Sequence, residues 1–552
     1  MSRVANSGYR YRFGARPLHE YLRLHAQETP ERTALIWYGR AVSFRELNDL
    51  SDRFACLLAE WGVIAGDRIA LYLGNCPQFL VAFFGIQKIG AIVTPVSPAF
   101  KEWELQYQLN NSGVRVIVLS RDLYPVLASV RSQTTVTRVL VTDYRDFLPD
   151  SPTLPVPAEM LAAPPPTGDA ADFMATVLAT PANPPNPPLT LDQVSLMMYT
   201  SGTTGQPKGA MLTYGNALFK AAAGSLANGL TSADMSLAVM PLSHIAGLLV
   251  GLNMVIYQGA SEVLLHRFDP EAAILAIEQY GCSWWFSVTP MNRAILGQLG
   301  AQHPRLTSLR HNLCTSFGMP LTEELAQSWR ERTGGCIIHE ASYGLTETHT
   351  ADTFMPTDAI RWGTVGKPIA DTDIRILDLE TRQQCPVDMP GEIAVRNPGV
   401  FAGYWQAPEA TAATMREGYL LTGDMGRVDA DGYLYFLGRL KEMIKVSGYS
   451  VFPEEVESLL IRHPKIAQVA VIGVPHPQRG EVVKAYVVAK PGDVVSPQEI
   501  IDWSKTSMAH YKYPHEVEVV ASLPATGTGK ILRRVLKEQA QSGANPNRGQ
   551  HG

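Results

Sequence analysis

The run Tyr199-Thr-Ser-Gly-Thr-Thr-Gly-Gln-Pro-Lys-Gly209 carries the strongest chemical signal in the chain. Gly202 and Gly205 let the backbone turn its amides toward one anion. The hydroxyls of Thr200, Ser201, Thr203 and Thr204 can donate to phosphate oxygens, and Lys208 adds a positive charge. The Gly-x4-Gly-Lys-Ser/Thr spacing of a Walker loop is absent. A plain hydroxyl-rich turn is the alternative, and a second cluster weighs against it. Tyr343-Gly344-Leu-Thr346-Glu347-Thr348 brings together a ring, a hydroxyl and a carboxylate within a few positions. The ring can stack on a base, the hydroxyl can hold a phosphate, and Glu347 suits Mg2+ beside phosphates. Thr422-Gly-Asp424 places a carboxylate after a tight turn, where it could accept from two ribose hydroxyls or simply cap the turn. Two further pieces are Gly438-Arg439-Leu-Lys441-Glu-Met-Ile-Lys445, continued by Ser447-Gly448-Tyr449, and Gly527-Thr-Gly-Lys530. Lys530 has little to pack against in such a turn, which favours a ligand for it. The combined pattern is that of a nucleotide site acting at phosphates.

These groups need a scaffold. Ser43–Trp61 has Leu47, Leu50, Phe54, Leu57 and Leu58 at helical spacing. Arg68–Leu73 and Val116–Ser120 are short apolar runs between helical patterns, which favours parallel sheets covered by helices, an α/β architecture. Residues 151–188 hold the proline clusters 164–166 and 184–188 around a short helix candidate, and an irregular surface segment is expected. After Gly438 the pattern shifts to a smaller α+β scale: helices at Glu454–Arg462 and Glu499–Lys505, strands at Ile466–Gly473 and Val482–Ala489. The expected division is a large domain over 1–438, a hinge at 439–441, a small domain over 442–540 and a disordered tail over 541–552.

A chain of 552 residues exceeds what one hydrophobic core usually serves. The hydrophobic share of 46% and charged share of 18% exclude wholesale disorder. A net charge of -5 without a basic stripe gives no sign of a nucleic-acid partner. The six cysteines form no C-x-x-C pair, so a disulfide frame and a zinc site are not expected. No apolar run is long enough to span a bilayer, and the N-terminus lacks an apolar signal stretch. The expected setting is cytoplasmic; a homodimer stays open.

The five motifs, in this order and at these spacings, resemble the superfamily of acyl-CoA synthetases, peptide-synthetase adenylation domains and firefly luciferase, over about Leu18 to Arg534. The resemblance implies an ATP-dependent acid–CoA ligase: carboxylate and ATP give acyl-AMP and pyrophosphate, and the thiol of coenzyme A then gives acyl-CoA and AMP. Mg2+ is the implied metal, and the partners are small molecules. It also implies roles. Thr200, Ser201, Gly202, Thr203, Thr204, Gly205 and Lys208 would cover the β- and γ-phosphates. Gly318, Met319 and Pro320 with Tyr343 would sandwich adenine, and Gly344 would also belong to the ATP site. Thr346 would bind the α-phosphate, Glu347 the metal, and Asp424 and Arg439 the ribose. Lys530 would reach the α-phosphate and the attacking carboxylate. Lys441 would be the hinge, and Lys445, Ser447, Gly448 and Tyr449 would line the thiol channel. His244 would gate an acyl pocket that also uses Trp285 and Phe317; a core histidine is the plain reading of His244, and a solvated lysine that of Lys441.

Three positions depart from common family forms. Phe317 stands where many relatives have a small residue. Ala341 replaces the Asn, Asp or Gln that reads the adenine amino group, so that contact would have to come from backbone or elsewhere. The hinge is Lys where many CoA ligases have Asp. The segments expected to line the acyl pocket, Ala246–Tyr257, Trp284–Met291 and Cys314–Gly318, hold no charged residue to pair with a second carboxylate or an amine. An apolar or aromatic acid is therefore expected rather than an amino acid, and the stretch Glu102–Gly113 resembles medium- and long-chain fatty acyl members, which makes such a fatty acid the expected substrate. An aryl or polycyclic acid, or a carrier protein in place of coenzyme A, is the alternative.

Overall fold

The computed structural model describes residues 11–163, 165–200, 207–299, 306–316, 321–446, 449–526 and 530–542. Two large sheets dominate. One runs Ile338–Glu340, His311–Thr315, Trp284–Val288, Met235–Ala238, Ser261–Leu264, Thr33–Trp37 and Arg40–Ser43 in spatial order. All neighbours are parallel except the terminal pair, which is a hairpin-like antiparallel contact. The other runs Gly403–Tyr404, Lys208–Thr213, Val194–Thr200, Ile92–Val96, Arg68–Tyr72, Val116–Ser120, Arg138–Thr142 and Ala171–Asp172. Its central strands are buried on both faces, as the runs of five buried positions at Ile92–Val96 and Val116–Ser120 show. A third sheet carries Tyr419–Val428 paired with Leu434–Arg439.

The helix expected at Ser43–Trp61 spans Phe44–Glu60. Ser43 caps it by accepting from the Glu46 amide, and Phe44, Leu47, Leu50 and Phe54 face the core. Helix Tyr214–Ala227 is buried on every side from Tyr214 to Ser225, although it contains Lys220. Residues 151–188 are more built than expected. Ala171–Asp172 extends a sheet, and Phe173 of helix Phe173–Ala179 packs on Phe54 at 5.1 Å between ring centroids. Prolines flank these pieces and do not interrupt them, and helix Phe173–Ala179 lies where the short helix candidate was expected between the two proline clusters.

At Leu440–Glu442 a single 3-10 turn carries the chain out of the third sheet. It enters a separate five-stranded sheet made of Tyr449–Val451, Ile444–Val446, Gly480–Ala489, Ile466–His476 and Glu516–Val519. Helices Pro453–Leu460, Pro497–Ser507 and Arg533–Ser542 cover it, around a core of its own built on Val456, Leu460, Val471 and Val487. Of the tail expected at 541–552, residues 541 and 542 close the last helix, and 543–552 lie outside the described residues. Among the described residues no helix is long and apolar enough to cross a membrane.

Candidate active site

The nucleotide motifs meet where the strand hairpins end. Thr200 and Lys208 are register partners at the mouth of the hairpin formed by Val194–Thr200 and Lys208–Thr213. The connecting positions Ser201, Gly202, Thr203, Thr204 and Gly205 lie outside the described residues, as do Phe317, Gly318, Met319, Pro320, Ser447 and Gly448. Lys208 points its ammonium over the ring of Tyr404, 5.4 Å from the centroid. The Tyr404 hydroxyl donates to Glu347 at 2.6 Å. Tyr404 thus bridges the lysine of the phosphate hairpin and the carboxylate expected to hold a metal.

Tyr343, Asp424 and Arg439 form the second half. The Tyr343 hydroxyl donates to Asp424 at 2.8 Å, and its ring packs 6.0 Å from Phe436. Asp424 and Arg439 are cross-strand partners with side chains 3.4 Å apart. Burial pushes the Asp424 carboxyl above its usual range, while Arg439, Tyr343 and Lys530 pull it back down. Lys530 belongs to a tight hairpin. Its amide donates to Thr526 Oγ1 at 3.1 Å, and its carbonyl accepts from the Thr526 amide at 2.8 Å. The side chain is exposed. Crowding protein atoms and the charge of Arg439 lower its ammonium pKa, against the pull of Glu442 and Asp424.

His244 caps a short helix, and its Nδ1 accepts from the Ala246 amide at 3.3 Å, which only the unprotonated nitrogen can do. Burial first, and then the charge of Lys530, bring its pKa down to about 4. Electrostatics therefore link His244 and Asp424, both in the large part of the chain, to Lys530 in the small one. Thr346 and Glu347 share a 3-10 turn, and the Glu347 carbonyl accepts from the Phe401 amide at 2.8 Å. Gly344 is needed for close approach: a Cβ there would lie 2.3 Å from the Ala351 nitrogen. The Ala341 backbone is already engaged, its amide with Cys314 and its carbonyl with Met355.

Trp285 is corrected. Strand alternation turns it away from the site, into the core, where it stacks 6.4 Å from Phe268 and lies 6.0 Å from Trp329. Its neighbours Trp284 and Phe286 face the other way, into an apolar cluster with Phe219, Met240, Val250 and Met254. Part of this cluster's wall is a π-helical stretch, Leu249–Asn253, a distortion often found at functional sites. Tyr449 is half exposed and stacks on Tyr511 at 4.3 Å.

Sequence reading missed Tyr404, and with it Lys220, Asp352 and Asn397. Lys220 is fully buried and pairs with equally buried Asp352 at 2.7 Å. The signal was present: Lys220 is the only charged residue of an otherwise apolar helix. It also missed Glu340, whose carboxylate accepts from the Ser316 amide at 3.1 and 3.2 Å and ties together the strand ends beside position 317. Burial lifts the Glu340 pKa to about 7, against the hydrogen bonds from Ser316.

Glu347 fits a metal held mostly by phosphate and water. Among the described residues no group of three His, Cys, Asp or Glu could hold an ion by itself, and Mg2+ beside phosphates commonly uses one or two carboxylates. The comparisons with known proteins cover both the part of the chain that carries Lys208 and Tyr343 and the part that carries Lys530. The family profile described as AMP-binding enzyme covers residues 22–405, and that of its C-terminal domain covers 455–530. The chain belongs to the AMP-binding enzyme family. It is 32% identical over 526 residues to a long-chain-fatty-acid–CoA ligase of Bacillus subtilis (strain 168), covering 93% of each chain. It is 35% identical over 522 residues to a feruloyl-CoA synthase of Amycolatopsis sp, covering 93% of this chain and 97% of that one. Among solved structures, the anthranilate CoA ligase AuaEII in complex with anthranoyl-AMP superposes with a TM-score of 0.85 at 27% identity, over 96% and 98% of the two chains. As a member of this family the chain is an AMP-forming acid–thiol ligase, and ATP, Mg2+ and coenzyme A are the small molecules of its chemistry.

Proposed function

We propose that this chain activates an apolar carboxylic acid, with a medium- or long-chain fatty acid as the best reading, and transfers it to coenzyme A. The observation that supports the acid class is the cluster of Trp284, Phe286, Met240, Met254, Val250 and Phe219, which contains no charge. A second carboxylate or an amine there would lose its hydration without a partner. Trp284 and Phe286 also favour an aryl acid as the second reading, in keeping with the feruloyl- and anthranilate-specific names among the relatives.

A carboxylate resists attack because the incoming group adds to an anion that has no good leaving group; adenylation supplies AMP as that leaving group. In the proposed assignment Lys530 sits over the α-phosphate and the attacking carboxylate, where a fixed cation stabilises the developing charge. Asp424 and Arg439 hold the ribose, Tyr343 the adenine, Thr346 the α-phosphate, and Thr200 with Lys208 the outer phosphates. Mg2+, when bound at Glu347, would neutralise phosphate charge. His244, neutral near pH 7, lines the passage to the acyl compartment without adding charge. The small domain then turns about Lys441, withdrawing Lys530 and presenting Lys445 and Tyr449 beside the thiol.

The test is product analysis with purified protein, ATP, Mg2+ and a panel of fatty, aryl and polycyclic acids, with and without coenzyme A. AMP with an acyl-CoA of matching mass is the expected result. Acyl-adenylate that never passes to coenzyme A would replace this reading with a carrier-protein loader. A paired mutation tests the pocket: Trp284→Ala should raise the KM for the acid about tenfold or more, as loss of an apolar contact does. Trp285→Ala should instead lower stability by about 3–5 kcal/mol with little change in that KM. Equal effects of the two on KM would remove the assignment of faces.

A further inference from the structure

The turn that bears Thr346 and Glu347 is followed by three successive non-glycine residues in the left-handed region: His349, Thr350 and Ala351, with φ of 57°, 56° and 51°. Such residues are disfavoured singly and rarer in series, so surrounding structure must hold them. The holder is visible. Lys220 Nζ donates to the Ala351 carbonyl at 3.0 Å and to Asp352 Oδ1 at 2.7 Å. Asn397 Nδ2 donates to the same carboxylate at 2.8 Å, and Thr348 Oγ1 to its other oxygen at 2.5 Å. The Asp352 amide donates to the Tyr343 carbonyl at 2.7 Å. Gly399 lets the network close, since a Cβ there would lie 2.3 Å from Lys220 Cε and 2.8 Å from the Thr348 carbonyl. The same strand-to-loop segment carries Phe401 and Tyr404, which hold the Glu347 carbonyl and carboxylate.

We propose that Lys220 and Asp352 are positioning residues for the ATP–Mg2+ site: their buried ion pair clamps the left-handed turn and so fixes Tyr343, Thr346 and Glu347 relative to one another. Neither touches substrate in this assignment; both act through the turn. The proposal rests on the ligase reading above and adds to it a part of the nucleotide site that none of the five motifs contains. A pair of this kind costs stability if either member is removed, because the other is left buried and uncompensated. The geometry predicts something more specific than loss of fold. Displacing Glu347 and Thr346 should affect metal and ATP binding and the first half-reaction most, and the second half-reaction less, because acyl-adenylate still uses Tyr343 and Thr346 but no longer the metal.

The experiment uses the full chain with Lys220→Met, Asp352→Asn and the milder Thr348→Val, which keeps the ion pair and removes the hydroxyl's contacts with Asp352 and the Leu345 backbone. Three quantities are read: calorimetric binding of ATP with Mg2+, pyrophosphate release with acid, and thioester formation from supplied acyl-adenylate. Asp352→Asn should lower pyrophosphate release about 10²-fold, the size expected for a misplacement near 1 Å. It should also weaken ATP–Mg2+ binding and lower thioester formation by about tenfold or less, because acyl-adenylate depends on Tyr343 and Thr346 but not on the metal. Thr348→Val should move the same quantities the same way by a smaller factor while remaining folded. Parallel losses in both half-reactions with unchanged ATP–Mg2+ binding in Thr348→Val and Asp352→Asn would overturn the proposal. If the parent ligates no acid at all, the ligase reading falls, and calorimetry still decides the role of the pair.

Discussion

Two ionic clusters stand beside the proposed catalytic residues, and they are built on opposite principles. In the large part of the chain, one lysine meets one carboxylate: Lys220 and Asp352 are both fully shielded from water. In the small part, Arg533 faces three carboxylates: Glu442 at 2.5 Å, Glu454 at 2.8 Å and Glu457 at 2.8 Å, and its side chain keeps 13% exposure. Arg533 stands three residues beyond Lys530, and Glu442 one residue beyond Lys441. The second cluster therefore ties the Lys530 hairpin to the turn between sheets. The matched pair has no spare charge and suits a fixed site. The unmatched cluster carries excess negative charge at a place that the proposed mechanism requires to move, and burial raises the Glu454 pKa to about 7, against the pull of Arg533.

The contrast can be broken experimentally. Arg533→Met should have the largest effect, destabilising the small domain by about 3–5 kcal/mol because it strands buried carboxylates; chemical denaturation measures this. The loss should shrink in acid, where those carboxylates are neutral, and a pH-independent loss would remove the role of excess charge. Next is the titration of Glu454. Its pKa is raised on folding from 4.5 to about 7, so the folded state binds the proton more tightly, and stability falls as pH rises between those values. Glu454→Gln should flatten that slope in melting curves taken over this window. The smallest effect is that of salt. The partly exposed Arg533 cluster should lose up to about 1 kcal/mol of its attraction at molar ionic strength, whereas the Lys220–Asp352 pair should not respond. Salt sensitivity confined to the large domain would contradict the comparison.

How much of this was legible without coordinates divides along the same line. Groups proposed to touch the nucleotide sit in short, polar, glycine-bearing motifs, so Tyr343, Asp424, Arg439 and Lys530 could be picked out by type and order. Their convergence could not: the 2.8 Å contact of Tyr343 with Asp424 joins positions 81 apart. The α/β class and the strand Val116–Ser120 followed from apolar runs. The side each residue faces did not, because Trp284 and Trp285 are adjacent and equally apolar, and only the sheet decides which apolar cluster each one joins. Supports such as Asp352 and Asn397 have no motif, since what they bind is this chain's own backbone, Lys220, Thr348 and each other.

The central claim is that one lysine serves the first half-reaction only. The direct measurement compares the parent with Lys530→Ala in two assays: acid-dependent pyrophosphate release from ATP, and acyl-CoA formation from supplied acyl-adenylate. The account predicts a loss on the order of 10²–10³-fold in the first assay, the usual cost of removing one donor to a charged transition state, and a nearly unchanged second. Unimpaired pyrophosphate release in Lys530→Ala would contradict it.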